Sequence, residues 1–333
     1  MSNKIYDEEL YNKDQKDRYL KGLVDNTYQV YSRILKRASM IEEPLKKDLY
    51  NFNIYEIGQL MKLLSPTTFL SSHSQLTNIR KYIDWGIKED LREDNINPLS
   101  VTITDEFVQS FVDTSNKYLF TDKEIESIVG QITNFQDSAL IQSLFEGIMG
   151  RAYSEILNML KIDITAESSI LVVKNKPASG PIRERQIGVS DKLVGLLLAA
   201  ARQDVYHSNN GTTESHLGQR KLIDTPYVFR PTIAHTKHFD IAEKTLVSRR
   251  IAMISKWFDY PYLTPINLRK SGMVRYAKEL LDQTGKFERE EIVTVCKKFD
   301  LEYKITTRLT KEFLNIETIE ALYGRSNQEK EQA

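Results

Sequence analysis

The 333-residue chain has one cysteine, Cys296, so it forms no intrachain disulfide and no cysteine-based zinc site. That scarcity fits a reducing cytoplasm. Proline and glycine are few, 9 and 14 residues, and no stretch is of low complexity. No repeat recurs at a solenoid period. Long apolar runs are missing too. The longest, Leu193 to Ala201, suits a buried helix and falls well short of the ~18 residues of a membrane span. The opening Met1 to Leu10 is too charged for a signal peptide. Nor is there an excess of one charge: 46 Lys and Arg face 46 Asp and Glu. That balance argues against a polybasic coat and against an acidic disordered chain. It leaves nucleic acid open as a partner, because clustering matters more than the sum.

What is present reads as two globular domains, expected at 1–115 and 116–333, at roughly 100–200 residues per domain. Charge is unevenly shared between them. Residues 1–115 carry 15 Lys and Arg against 18 Asp and Glu, and the remainder carries 31 against 28. The stretch 269–311 is the most basic, with 11 cations against seven acids, although much of that suits ordinary pairing along helices. Helical periodicity dominates. Leu76, Ile79, Ile83 and Ile87 form one apolar stripe and predict a core-facing helix over 75–91. A shorter helix is expected over 105–113, then a polar linker, Thr114 to Lys117.

In the second domain, Thr121 and Glu124 have capping-box spacing. Helices are expected over 122–134, 137–149 (closed by Gly150) and 153–160. The one clear β signal is a hairpin, Ser169 to Lys174 and Ile182 to Val189, about a Pro-Ala-Ser-Gly-Pro turn. Another helix is expected over 191–206, a long loop over 207–231, then helices to about Tyr323 and a polar, frayed tail. His235 and His238, with His207 and His216 nearby, lack a carboxylate or cysteine at a ligand spacing. They are read as loop residues, and no metal or other cofactor is expected.

Two motifs carry chemistry. Gly150-Arg151-Ala152-Tyr153-Ser154-Glu155 precedes the lysine-bearing hairpin, and Thr264-Pro265-Ile266-Asn267-Leu268-Arg269-Lys270-Ser271-Gly272 follows it. This order resembles the tyrosine recombinase (phage integrase) family from about residue 50 onward. The resemblance implies a mainly helical fold with a small β-hairpin. A helical core-binding (SAM-like) domain would precede an α+β catalytic-type domain, and the two would clamp duplex DNA. It also implies that Arg151 and Arg269 hold phosphate, with Lys174 or Lys176 as the hairpin lysine. Arginine suits that role because its planar fork meets two phosphate oxygens at once.

The departures from the family pattern are chemical. Ile266 and Lys270 stand where the family places histidines, and neither shuttles protons near neutral pH. No Leu-Gly-His motif follows. Tyr303, 34 residues after Arg269, is near the family's nucleophile spacing, and Tyr323, 54 residues after, is farther than expected. The phosphate grip is kept and much of the acid–base set is lost, so any recombinase site is read as vestigial: Arg151, Lys176, Arg269 and Tyr303. A narrower resemblance, over the whole chain including its opening Met1 to Leu10 and Ile79 to Trp85, is to the master lysogeny repressors of SPβ-type Bacillus prophages. It implies a cytoplasmic, nucleoid-associated transcriptional repressor that binds a double-stranded DNA operator and silences lytic genes.

The expected DNA contacts are Arg151, Lys174, Lys176, Arg183, Arg269, Lys270, Lys297 and Lys298. Ser72, His73, Asn78 and Lys81 join them from the helix of the first domain, whose hydroxyl-rich start suits either capping or phosphate binding. Glu155 is read as a buttress for an arginine. Two alternatives stand beside the repressor: a working recombinase using Tyr303 or Tyr323, and a regulator whose old DNA surface binds a protein partner or a second copy of itself.

Overall fold

The computed structural model describes residues 10–100, 102–112, 118–212, 218–233 and 241–324, without the side chains of Asp25 and Asn26. The expected linker at Thr114 to Lys117, the histidines His216, His235 and His238, and the tail from Arg325 lie outside the described residues. The chain divides into two compact units, Ser2–Asn116 and Lys117–Ala333. Both are built mainly of helices, and two small antiparallel sheets belong to the second.

The first unit holds α1 (Lys13–Leu20), α2 (Asp25–Leu45), α3 (Ile54–Leu64), α4 (Phe69–Lys88) and α5 (Asp105–Gln109). Leu76, Ile79 and Ile83 of the predicted stripe are fully buried, with Ile87 packed beside them. The helix carrying them starts earlier than the stripe alone implies, because the Thr68 hydroxyl accepts from Ser71 N at 3.2 Å and caps it at Phe69. A Cβ on Gly86 would lie 2.6 Å from the Tyr50 side chain, so this glycine lets the turn before α3 press on α4. Beneath these helices Lys16 is wholly buried, 2.5 Å from Glu42 and 3.9 Å from Asp48. Glu42 also accepts from Leu49 N at 2.7 Å, and Asp48 from the Tyr82 hydroxyl at 3.0 Å.

The second unit begins with α6 (Asp122–Gly130), where both halves of the Thr121–Glu124 capping box are formed. Next, α7 (Phe135–Phe145) is the central helix, buried on every side from Gln136 to Phe145. It ends sooner than expected, and at a different glycine. Gly147 takes φ 98°, and Ile148 N reaches back to Ser143 O at 2.9 Å, the left-handed closure that glycine favours. Gly150 instead opens the next turn, at Arg151–Tyr153, and the helix expected to 160 is the single turn α8 (Ser154–Leu157).

The predicted hairpin is β1 (Ile170–Asn175) with β2 (Arg183–Gly188), paired so that Asn175 faces Arg183 and Val173 faces Arg185. Leu171, Val173 and Asn175 point inward, while Ile170, Val172 and Lys174 point outward. After α9 (Asp191–Arg202), part of the expected long loop is a second sheet, β3 (Val205–His207) with β4 (Gln219–Lys221). The remaining helices are α10 (Lys244–Trp257), α11 (Pro265–Thr284), α12 (Arg289–Lys298), α13 (Thr306–Glu312) and α14 (Ile316–Tyr323). Where α11 crosses α7, a Cβ on Gly272 would fall 1.6 Å from Phe145 O, so only glycine permits the crossing. The adjacent Ser271 hydroxyl accepts from Phe120 N at 2.9 Å and fastens the start of the unit to α11.

Candidate nucleic-acid interface

The second unit contains a cavity of about 450 Å³ lined by Gly150, Arg151, Asn175, Arg183, Arg269, Asp300, Leu301 and Glu302. Four separate parts of the chain converge on it: the turn after α7, both strands of the hairpin, the first turns of α11, and the segment after α12. Gly150 has φ 67°, and a Cβ there would lie 2.7 Å from both Ser154 Oγ and Glu155 Cγ. Glycine therefore lets the Arg151 turn fold tightly onto its own helix. Ala152 and Tyr153 follow with φ 52° and 65°, so the turn is also strained.

Asn175 holds that turn in place. Its Oδ1 accepts from Arg151 N at 2.9 Å and from Ser154 Oγ at 3.0 Å, and its Nδ2 donates to Asp300 at 3.0 Å. Under the cavity Glu155 is fully buried. It accepts from Arg185 Nε at 2.6 Å, from Arg185 Nη2 at 2.9 Å and from Met149 N at 2.9 Å. Arg185 in turn donates to the carbonyls of Gly147 and Lys298, at 2.9 and 2.8 Å. One buried carboxylate and one guanidinium thus join the hairpin, the end of α7 and the end of α12. Glu155 is a buttress, as expected, and its partner is Arg185.

Arg269 differs from Arg185 in what it leaves over. One of its terminal nitrogens donates to Phe299 O, whereas its Nε is shut off from solvent with no hydrogen-bond partner among the described residues. Burial pulls its pKa below the ordinary 12.5, while the Glu155 and Asp300 carboxylates hold it up. A guanidinium stays charged under such a pull. The cavity therefore gathers three arginines, Arg151, Arg183 and Arg269, with the Asp300 and Glu302 carboxylates among its lining.

The other expected contacts are placed less centrally. Lys174 lies on the outer face of the hairpin, 3.8 Å from Glu184, and Lys176 is exposed in the turn; neither lines the cavity. Arg183 does line it, 64% exposed and 3.3 Å from Asp300. Lys270 is engaged with Glu312 at 3.2 Å and sits 4.8 Å over the Phe313 ring. Lys298 lies 4.3 Å over Tyr276, and Lys297 is exposed. In the first unit Ser72 is buried and donates to Val108 O at 2.7 Å, so its hydroxyl serves that core. His73 and Lys81 are exposed on α4, and Asn78 is half-buried.

Neither candidate tyrosine lines the cavity. Tyr303 is 49% exposed, with the Arg289 guanidinium 5.2 Å over its ring. Tyr323 is raised by burial and feels Asp122, Arg275 and Glu124, none of which belong to the cavity lining. Ile266, at the family's first histidine position, is 58% exposed one helical turn before Arg269. Sequence reasoning missed Asn175 and Arg185. The usable signal was the two-residue period, which puts Asn175 on the face of Val173 and Arg185 on the face of the buried Ile187.

Among the described residues, no helix is long and apolar enough to cross a membrane, and no group of three or more His, Cys, Asp or Glu is placed to hold a metal.

Comparison with known proteins covers both units. Over 321 residues the chain is 26% identical to the SPbeta prophage-derived uncharacterized protein YopR of Bacillus subtilis (strain 168), spanning 95% of this chain and 97% of that one. Solved structures that it resembles include the Tn1549 transposon integrase in complex with a circular intermediate DNA (11% identity, 96% of this chain and 98% of that one, TM-score 0.48). A lambda integrase dimer bound to a core site is another (13%, 89% and 93%, TM-score 0.47). Residues 10–88 match the family described as "MrpR, N-terminal core-binding domain" and residues 119–324 that described as "MrpR, C-terminal catalytic domain". The chain belongs to the MrpR family.

Proposed function

We propose that this protein is a sequence-specific, double-stranded-DNA-binding transcriptional repressor that maintains prophage lysogeny, built on a tyrosine recombinase scaffold and without strand-exchange activity. The observation that carries this reading is Arg269. Its half-spent guanidinium, beside Arg151 and Arg183, offers donors that the protein itself does not use. A backbone phosphate supplies acceptors of matching geometry. Cleavage asks for more. A tyrosine must attack phosphorus while a proton is delivered to the departing oxygen. On α11 the two positions that would serve are an exposed isoleucine and a lysine tied to Glu312. The cavity grips; the acid–base partners for cutting are absent from those positions.

In this reading the protein acts in the bacterial cytoplasm on the nucleoid. The Arg151–Arg269 cavity fixes the backbone, Lys297 and Lys298 add phosphate contacts, and the exposed face of α4, with His73, Asn78 and Lys81, reaches base edges. The match to a prophage-derived relative supports the lysogeny role. A working recombinase is the rival, since Tyr303 directly follows Leu301 and Glu302 of the cavity lining. A nicked suicide duplex separates the two. The expected result is salt-dependent retention of DNA and no covalent adduct. A covalent adduct that Tyr303→Phe or Tyr323→Phe abolishes establishes the recombinase instead. Failure to retain any duplex at low salt removes both.

A further inference from the structure

Asp300 stands inside the arginine cavity, and nothing in the phosphate-gripping role calls for a carboxylate there. Its Oδ2 lies 3.3 Å from Arg183 and accepts from Asn175 at 3.0 Å. It occupies the residue just past the C-terminal cap of α12, where Leu301 N reaches back to Cys296 O at 2.9 Å. That closing position takes a left-handed backbone, here φ 47°, which favours glycine and is otherwise adopted most readily by asparagine or aspartate. It also lies at the negative end of the helix dipole, which disfavours an anion. The backbone tolerates aspartate, as it does at Asp90 and Asp259, but the dipole argues against a carboxylate, and the compensation comes from the arginines across the cavity.

We propose that the Asp300 carboxylate is a resident counter-anion of the site, one that an incoming DNA phosphate must displace from Arg183, and that it thereby sets specificity. The inference rests on the DNA-binding reading and deepens it. A stray phosphate gains little by exchanging one anion for another at Arg183. A phosphate delivered by an operator already held through other contacts gains the exchange at no cost in positioning. Asp300 lowers affinity for arbitrary duplex more than affinity for the operator. Asn175 makes the exchange felt nearby, since its amide bridges Asp300 to the backbone of Arg151.

The test compares wild type, Asp300→Asn and Asp300→Gly on a random-sequence duplex by fluorescence anisotropy across a salt series. Asparagine keeps an acceptor for Asn175, and glycine suits the left-handed backbone, so both are expected to fold. Both should bind the random duplex roughly ten-fold more tightly than wild type, the worth of one freed charge-assisted contact. Adding Arg183→Ala to Asp300→Asn should erase that gain. Unchanged or weaker binding by both single variants overturns the proposal, as does a gain that survives Arg183→Ala. If no variant retains duplex at low salt, the DNA reading has failed on its own, and inorganic phosphate then decides the status of Asp300. A larger phosphate-induced rise in Tm for Asp300→Asn than for wild type upholds the counter-anion, and an equal rise rejects it.

Discussion

Arg250 and Arg269 lie in the same unit, the first buried and the second half-buried, and they differ in what their guanidinium groups are bound to. Arg250 on α10 sets its Nε 3.5 Å from the fully buried Asp137 and donates to Gln136 Oε1 at 3.2 Å and to Arg230 O at 2.9 Å. Its guanidinium also stacks 4.8 Å over Tyr206, whose hydroxyl completes the cluster with a 2.8 Å bond to Asp137. Both terminal nitrogens donate to protein acceptors, and Nε faces the Asp137 carboxylate as an ion pair. Arg269 leaves its Nε unmatched, and it lines a cavity that it shares with Arg151, Arg183 and the Asp300 carboxylate. Burial alone thus says nothing about role. Arg250 is engaged by the unit's own buried groups, whereas Arg269 faces a cavity.

The largest effect should come from breaking the closed side of this pair. Arg250→Met strips Asp137 of its counter-ion, and burial already pushes that carboxyl above its ordinary range. An uncompensated buried charge costs about 3–5 kcal/mol. The midpoint of urea unfolding should fall accordingly. Pairing the change with Asp137→Asn should recover part of the loss, and a single-variant loss below about 1 kcal/mol would contradict a structural role for the cluster.

The first unit has a closed cluster of its own, and its sign with pH can be worked out. Burial pushes Glu42 up to about 7 from its ordinary 4.5; Lys16 opposes the rise and the Asp48 carboxylate adds to it. The folded state therefore holds a proton that the unfolded chain has released between these two values. Stability contributed by protonated Glu42 is fully present below 4.5 and is lost as pH rises through about 7. Tm followed from pH 4.5 to 8 should decline in wild type, and Glu42→Gln should remove that part of the slope. An identical slope in the variant would show that Glu42 is not the titrating group.

On the open side, Arg269→Ala should behave in the opposite way to Arg250→Met. It removes a cation with an unsatisfied buried donor, so Tm should change little. Operator affinity should drop roughly ten- to hundred-fold, the loss of one charge-assisted phosphate contact. A large fall in Tm with intact binding per folded molecule would collapse the distinction between the two arginines.

Much of the open site was legible because two of its three arginines sit in short local motifs. Gly150-Arg151 and Leu268-Arg269 stand out in the sequence, and Gly150, Arg151 and Arg269 line the same cavity. The capping box at Thr121 and the apolar stripe of α4 are local patterns as well, and both formed. The closed clusters were illegible for the converse reason. Lys16 and Glu42 are 26 residues apart, and a charged residue reads as solvated until the fold brings its partner. The hairpin misled by charge: Lys174 and Lys176 drew the assignment, while the inward-facing residue between them is Asn175. The sheet of β3 and β4 escaped notice because three-residue strands such as Gln219–Lys221 carry no usable alternation. Gly147 and Gly150 were confused because the sequence does not say which of two nearby glycines closes a helix. The backbone bond from Ile148 to Ser143 does.

The smallest effect separates a placed contact from a merely basic surface. Lys297 is exposed near the end of α12, on a flexible stem. If it meets the backbone at all, it does so as a mobile point charge, without the fork that makes an arginine contact directional. Lys297→Ala should then weaken operator and random duplex alike, by no more than about three-fold, and make the salt slope shallower by about 0.9. Arg269→Ala should instead cost the operator more than the random duplex, because a rigid phosphate contact is fully formed only in correct register. Equal losses on the two duplexes for both variants would mean that register is set elsewhere, and the contrast between spent and unspent arginines would explain grip without explaining choice.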